Sequence, residues 1–508
     1  MTQNGTRQTS VAPGVRPAWS AAAATALLVG CAVGPNFKPP APPAAHGYVA
    51  GALPSTTSAA PGNGGVAQDF VNGLDIPGQW WTLFQSRELN ALIDQALTHN
   101  PTLAAAQAAL RQANENTAAQ RGLYYPSISG SVGTQRDKAS AAELGLPGSY
   151  LYSLNSASVN VSYTLDAFGA NRRAVEALRS EADYERFALE AAYLSLTANI
   201  VTSAVSEASL RAQVAATEAI AHSQQLQLDI IQRRVAAGGA SRVDLAQQQS
   251  TLASTLATLP PLKEQLAQQR NQLATYVGAL PADYAGTEFS LDSLALPQQL
   301  PVSLPSKLVE QRPDVQQSTA LLHQATAQIG VATANLLPQI TLSGSYGGEA
   351  ASMSKVFSPA SVVWSLAASL TQPIFKGGQL VHQRRAAVAA AQEAAANYQA
   401  TVLTAFQNVS NTLYALQADA DALAAQTAAQ HAAADSLSLV QAQYKSGAAS
   451  YTQVLTSEQA YQSAEVALVK ARAQRFADSA ALFQSLGGGW WNRDDVNAKS
   501  IECCKGPQ

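Results

Sequence analysis

The stretch Ser158–Asp166, SVNVSYTLD, decides the fold. In an extended chain Val159, Val161, Tyr163 and Leu165 face one side, and Ser158, Asn160, Ser162 and Thr164 the other. Such a segment is near the roughly 9 to 11 residues that a tilted strand needs to cross a membrane, although half-buried soluble strands alternate in the same way. From Asn171 to Ala237 there follows a run without proline or glycine. At 1.5 Å per residue, a helix of nearly seventy residues is a rod of roughly 100 Å, far beyond the three or four turns of a globular helix.

The pattern is written twice. Trp364, Leu366, Ala368 and Leu370 alternate with Ser365, Ala367, Ser369 and Thr371, and a second long helix is expected from about Gln379 to Ser446. Both long helices stop at a matched break, GGAS at 238–241 and GAAS at 447–450. Helices then return from Ser241 to about Val277 and from about Ser450 to Leu486, with both serines as natural N-caps. Upstream, Asn100-Pro101 and Arg312-Pro313 each open a helix, because proline in the first turn costs no hydrogen bond. Pro126 and Pro338 close them, 25 residues on in both copies. Strand-like segments Ile128–Thr134 and Ile340–Tyr346 come next, and 137–154 and 349–361 suit exposed loops. Each copy is thus a helix, a strand hairpin and a long antiparallel helical hairpin. The long helices carry a sparse apolar stripe at near-heptad spacing, Leu403, Phe406, Val409 and Leu413, then Leu437, Val440 and Tyr444. A neutral polar face between them suits water, and a solid coiled coil would show the same period.

Four strands do not close a barrel. Single-chain outer-membrane barrels start at eight strands, and an open edge in lipid leaves backbone groups unpaired. Membrane-spanning strands therefore require an assembly with closed cyclic symmetry, of a copy number left open.

Composition agrees. The charged fraction of 13% is about half the usual soluble value, while alanine makes up about a fifth of the chain. A net charge of −3 gives no sign of a nucleic-acid-binding surface. The three cysteines, Cys31, Cys503 and Cys504, leave the body between them without any, so no cysteine scaffold holds it. Arg7 and Arg16 precede a short apolar run ending Leu28-Val29-Gly30-Cys31, which reads as a secretory signal and is too short to span. This ending resembles a bacterial lipobox, which implies diacylglycerol on the Cys31 thiol and cleavage before it. Ala32 in place of an aspartate favours outer-membrane sorting. Residues 32–79, rich in Pro, Gly, Ala and Ser, are expected to be an extended tether, free or wrapped on the body.

The chain resembles the outer-membrane factor family of tripartite efflux pumps, the TolC-like proteins, and within it the lipoprotein branch found with resistance-nodulation-division pumps. The resemblance lies in GCAVGPNFKPP at 30–40, Trp80-Trp81 and Phe84, the Asn100-Pro101 opening, Asp166-Ala167-Phe168-Gly169, Arg312-Pro313-Asp314, Leu337-Pro338, Pro373-Ile374-Phe375 and Gly377-Gly378. It covers about residues 27–487. It implies a mixed membrane β-barrel plus long α-helical barrel, an internally duplicated fold that is trimeric with four strands per chain. On that plan 1–30 is a lipoprotein signal peptide and 31–79 a lipid-anchored extended segment. The first repeat is 80–299, with strands near 127–136 and 155–165 and a helical hairpin over 168–278. The second is 300–487, with strands near 339–348 and 362–371 and a hairpin over 378–486. Residues 488–508 form a polar tail, and 80–100, 279–312 and the C-terminal region form an equatorial belt. The resemblance also implies a homotrimer in the cell outer membrane with its helical domain in the periplasm, a periplasmic adaptor (membrane fusion) protein and an inner-membrane resistance-nodulation-division pump as partners, and no cofactor beyond the lipid on Cys31.

The family closes its periplasmic end around the two turns, here Gly238, Gly239 and Ser241, and Gly447 and Ser450. Many members place aspartates just past the second turn. Here those positions are Gln453 and Thr456, while Asp244 keeps an acid in the first copy, and a family arginine corresponds to Ala449. Fewer carboxylates around a narrow pore focus less negative field, so a less cation-selective gate is expected. Six scattered histidines lack ligand spacing, and no Gly-Lys-Ser/Thr follows the glycine pairs, so neither a metal site nor a phosphate loop is indicated. The resulting expectation is a passive exit duct for small toxic compounds. Type I protein secretion and metal-ion efflux use the same architecture, and a structural envelope lipoprotein without conduction is a further alternative.

Overall fold

The computed structural model describes residues 32–45, 47–140, 145 and 147–494. Cys31, Cys503, Cys504 and the segment 1–30 lie outside the described residues.

The helices of the two copies repeat to the residue. Helix α2 (Pro101–Gly122) and helix α6 (Pro313–Ala334) have 22 residues each. Helix α3 (Ala170–Ala236) and helix α7 (Gln379–Lys445) have 67 each, and the returning helices α4 (Arg242–Tyr276) and α8 (Tyr451–Ser485) have 35 each. Between them lie strands β2 (Ser127–Ser140), β3 (Ser149–Leu165), β5 (Gln339–Ala350) and β6 (Val362–Thr371). Before and between the copies come β1 (Asp69–Asn72), α1 (Arg87–His99), β4 (Gln299–Val302) and α5 (Pro305–Gln311).

The chain divides into two compact units. One comprises residues up to Lys38 with Asn114–Ser180 and Leu322–Glu393. It holds an antiparallel sheet of order β2-β3-β5-β6, in which β2 and β6 are the two edges. Register puts Ile128, Val161, Gly344 and Leu366 in one row and Ser129, Asn160, Ser345 and Ser365 in the next. One face is therefore apolar and the other polar. All ten residues of β6 are exposed. The sheet is larger than the sequence suggests. Asp137–Ser140 pairs with Ser149–Tyr152, a stretch expected as loop, because backbone pairing continues beyond the apolar alternation that marks the membrane-crossing part. Glu349 and Ala350, also expected as loop, end β5 paired with Ser156 and Asn155, and the connection after them carries single helical turns at Met353–Lys355 and Pro359–Ser361.

The same unit holds the start of the tether. Arg173, 4% exposed, donates from Nε to the Val33 carbonyl (3.1 Å) and from Nη2 to the Gly34 carbonyl (3.3 Å) and Asn36 Oδ1 (2.7 Å). Phe37 stacks on His323 at 4.3 Å, and His323 Nε2 lies 2.9 Å from Glu176 Oε1. Gly34 packs so closely on Gly330 that a Cβ at position 34 would meet its Cα at 2.5 Å.

The other unit comprises Pro39–Ala113, Glu181–Leu321 and the chain from Ala394 onward. Its core joins the belt segments with the long helices. Trp80, Trp81, Phe84, Leu89 and Ile93 meet Ile200, Val201, Phe289, Leu300, Leu413, Phe476 and Phe483, all nearly inaccessible. Trp80 stacks on Phe483 at 5.4 Å. Strand β1 pairs in parallel with β4, and Gln68 is fully buried, so residues 56–72 are built into this unit. Much of the tether is thus folded structure and not a free linker. The apolar stripe of α7 runs Tyr398, Val402, Ala405, Val409, Leu413, Leu416 and Ala420. Leu403, expected in that stripe, is 71% exposed, because alanines carry part of the seam and shift it by one residue.

Candidate functional site

The two hairpin ends are the same device. After α3, Gly238 takes φ +76°, and the Gly239 N–H donates to the Arg234 carbonyl (2.7 Å). After α7, Gly447 takes φ +81°, and the Ala448 N–H donates to the Gln443 carbonyl (2.9 Å). Both are Schellman terminations, in which a left-handed residue turns the chain back. Gly239 does not share the positive φ, and its counterpart is Ala448.

Capping boxes restart both helices. The Asp244 N–H donates to Ser241 Oγ (3.1 Å), and the Ser241 N–H donates to Asp244 Oδ2 (3.1 Å). In the second copy, the Gln453 N–H donates to Ser450 Oγ (3.3 Å), and the Ser450 N–H donates to Gln453 Oε1 (2.7 Å). An amide performs the same reciprocal cap as a carboxylate. Replacing an acid here thus removes charge without unmaking the turn. Gln453 and Thr456 are exposed, and Thr456 Oγ1 donates to the Thr452 carbonyl (3.0 Å).

Next to these turns the structure assembles residues that sequence reasoning passed over, together with Val440 and Tyr444 of the expected stripe. Ile231, Tyr451 and Val454 form a small buried cluster with Val235, Leu245, Val440, Tyr444 and Leu455. Three polar links join the first hairpin to the second. Arg234 Nη1 donates to Tyr444 Oη (2.9 Å), the Tyr451 hydroxyl donates to Gln248 Oε1, and Gln227 Nε2 donates to Glu458 Oε1 (3.3 Å). Gln248 in turn donates to the Gln224 carbonyl (2.7 Å). Glu458 is only 3% exposed, and its Oε2 has no hydrogen-bond partner. Burial pushes its carboxyl up to about 7 against the opposing effect of the Gln227 bond. Burial also raises the Tyr451 hydroxyl, with the Glu458 charge adding to it. The signal was present in the spacing, since Tyr451, Val454 and Glu458 lie on one helical face. Nothing local says that this face is the buried one.

Comparison with known proteins gives the context. The family described as outer membrane efflux protein matches residues 92–279 and 304–488. The pyoverdine export outer membrane protein OpmQ of Pseudomonas aeruginosa is 31% identical over 422 residues, which covers 81% of this chain and 87% of that protein. Among solved structures, a membrane protein from Pseudomonas aeruginosa superposes with a TM-score of 0.82 at 26% identity, covering 92% of this chain and 99% of that one. The open state of the Neisseria gonorrhoeae MtrE outer membrane channel gives 0.78 at 26% identity, covering 91% and 99%. With both halves matched and the duplicated fold in place, the chain belongs to the outer membrane efflux protein family.

Proposed function

We propose that three copies of this chain close one duct, anchored by lipid on Cys31 and fed by a periplasmic adaptor and an inner-membrane resistance-nodulation-division pump. The chain is an outer-membrane channel component of an efflux pump exporting small molecules, a passive transport protein and not an enzyme. The observation that carries the proposal is the sheet, with two unpaired edges, β2 and β6, and one apolar face. Lipid does not tolerate such edges, so β6 of each copy must pair with β2 of the next. The docked segment Ala32–Phe37 supports a lipid on Cys31, the residue just before it. Ala32 packs on Gly169, four residues beyond the end of β3, so a chain leaving Ala32 starts beside the end of the sheet. One acyl chain anchors marginally and two or more anchor firmly.

Small toxic compounds are the proposed cargo, in keeping with a relative named for pyoverdine export. A wall of low charge binds solutes weakly and releases them. The gate is proposed at Gly238, Gly239, Ser241, Asp244, Gly447, Ser450, Gln453 and Thr456.

The test is dye and drug accumulation in intact cells with and without the gene, with Cys31→Ala as the localisation control. Deletion should raise accumulation and the wild-type gene should restore it. Unchanged accumulation across a broad panel counts against small-compound cargo. Full outer-membrane retention of the Cys31→Ala protein without lipid counts against the anchor.

A further inference from the structure

The layer around Glu458 is short of partners. Both side-chain polar atoms of Gln224, Oε1 of Gln227 and Nε2 of Gln462 are buried and unpartnered, as is Glu458 Oε2. A carboxylate there faces a desolvation cost with no cation to repay it. Several charged and titratable groups on the adjoining turns are already engaged, and Arg242 at the start of α4 is exposed. On α3, Asp229 Oδ1 accepts from Gln225 (3.0 Å), Arg233 Nε donates to the Asp229 carbonyl (3.3 Å) and Arg234 holds Tyr444 of α7. On α4, Asp244 caps Ser241. On α8 itself, Tyr451 donates to Gln248, and Glu465 Oε2 accepts from Gln430 of α7 (2.8 Å). Lys445, the last residue of α7, is exposed. Among the described residues none forms an ion pair with Glu458.

We propose that Glu458 is a proton-binding positioning residue that couples packing of the second helical hairpin on the first to pH. Protonation removes the buried charge and supplies an O–H donor to a layer containing two unpartnered amide oxygens. Ionisation leaves the charge buried beside Val454 and Tyr451 and favours any arrangement that lets water reach it. The hairpins meet here about two turns from the Ser450 cap, so loosening this layer loosens the end of the duct.

The sign follows from the environment. The carboxyl titrates near 4.5 when solvated and at about 7 when packed. The stabilisation of the packed form is therefore complete below about pH 4.5 and is lost as pH rises through about 7. The inference rests on the channel reading for its consequence but not for the proton site, so two readouts separate them.

The first readout is infrared titration of the full-length purified protein, following the C=O stretch of protonated carboxyls. A component titrating near neutrality and missing in Glu458→Gln is expected. Its absence from the wild type, or its persistence in the variant, overturns the proton site. The second readout is single-channel recording at about pH 5 and about pH 8. At least a tenfold rise in open probability is expected for the wild type on going to the higher pH, with the Glu458→Gln channel staying low at both. An equal pH response in wild type and variant overturns the coupling to the gate. Absence of conductance in every variant counts against the channel reading, while the infrared result still decides the proton site.

Discussion

Asp419 and Asp478 face each other from α7 and α8 beside the fully buried Arg475. Burial first, and then the Asp478 hydrogen bond and charge, push the Asp419 carboxyl up to about 8, with Arg475 pulling the other way. Arg475 itself donates to Thr57 Oγ1 (2.9 Å) and the Val66 carbonyl (2.7 Å), so it ties the wrapped N-terminal segment to α8. The stabilisation from protonating Asp419 in the fold is complete below about pH 3.8 and is lost as pH rises through about 8. Melting temperature should therefore fall between about pH 5 and about pH 9, and less steeply in Asp419→Asn. Equal slopes in the two proteins would mean that the pair is ionised throughout. The turns permit a sharper residue-level contrast. Gly447→Ala places a Cβ at φ +81° and should cost about 1–2 kcal/mol. Gly239→Ala, at a position without positive φ where the added Cβ meets the Arg234 carbonyl oxygen at 3.6 Å, should be neutral or stabilising by about 0.4–1 kcal/mol. Denaturant unfolding of the two variants side by side reads both.

At the scale of elements, the two copies keep equal helix lengths while their sequences diverge. Schellman terminations and serine capping boxes define the boundaries at the two hairpin ends locally. Pro260 and Pro261 sit inside α4 without ending it, although each removes a backbone donor. The carbonyls left behind, four residues earlier, belong to Leu256 and Ala257, which are exposed and open to water. The strands follow different logic. In β6, Trp364, Leu366 and Leu370 are 74%, 81% and 67% exposed on a face with no protein cover in one chain. Placed in lipid, that face accepts no charge. Leu366→Arg should cost about 2–4 kcal/mol near the bilayer midplane, seen as loss of heat-resistant oligomer on unboiled gels. Oligomer of undiminished stability would take β6 out of the membrane.

For the whole molecule, the proposed gate makes conduction depend on what the assembled hairpin ends present to the pore. Gln453 and Thr456 carry no charge, and Asp244 uses its carboxylate to cap its own helix. Reversal potentials under a salt gradient should show weak cation preference that falls further in Asp244→Asn. Strong cation selectivity surviving that substitution would place the selecting charges elsewhere.

Much of the fold was legible because its signals are local. Alternation of period two marks strands, absence of proline and glycine over nearly seventy residues marks the long helices, and GGAS and GAAS mark where they reverse. The doubled order of elements and the need for partner copies follow from those signals alone. Side-chain burial is a different matter, because it depends on which helices meet, and a low-amplitude stripe of alanine and glutamine does not announce its inner face. Only the tertiary structure decided that Ala405 and not Leu403 lines the seam, and that Val33–Phe37 docks on Arg173 and His323. It alone took Glu458 and Arg475 out of water, and removal from water is what makes a carboxyl titrate near neutrality.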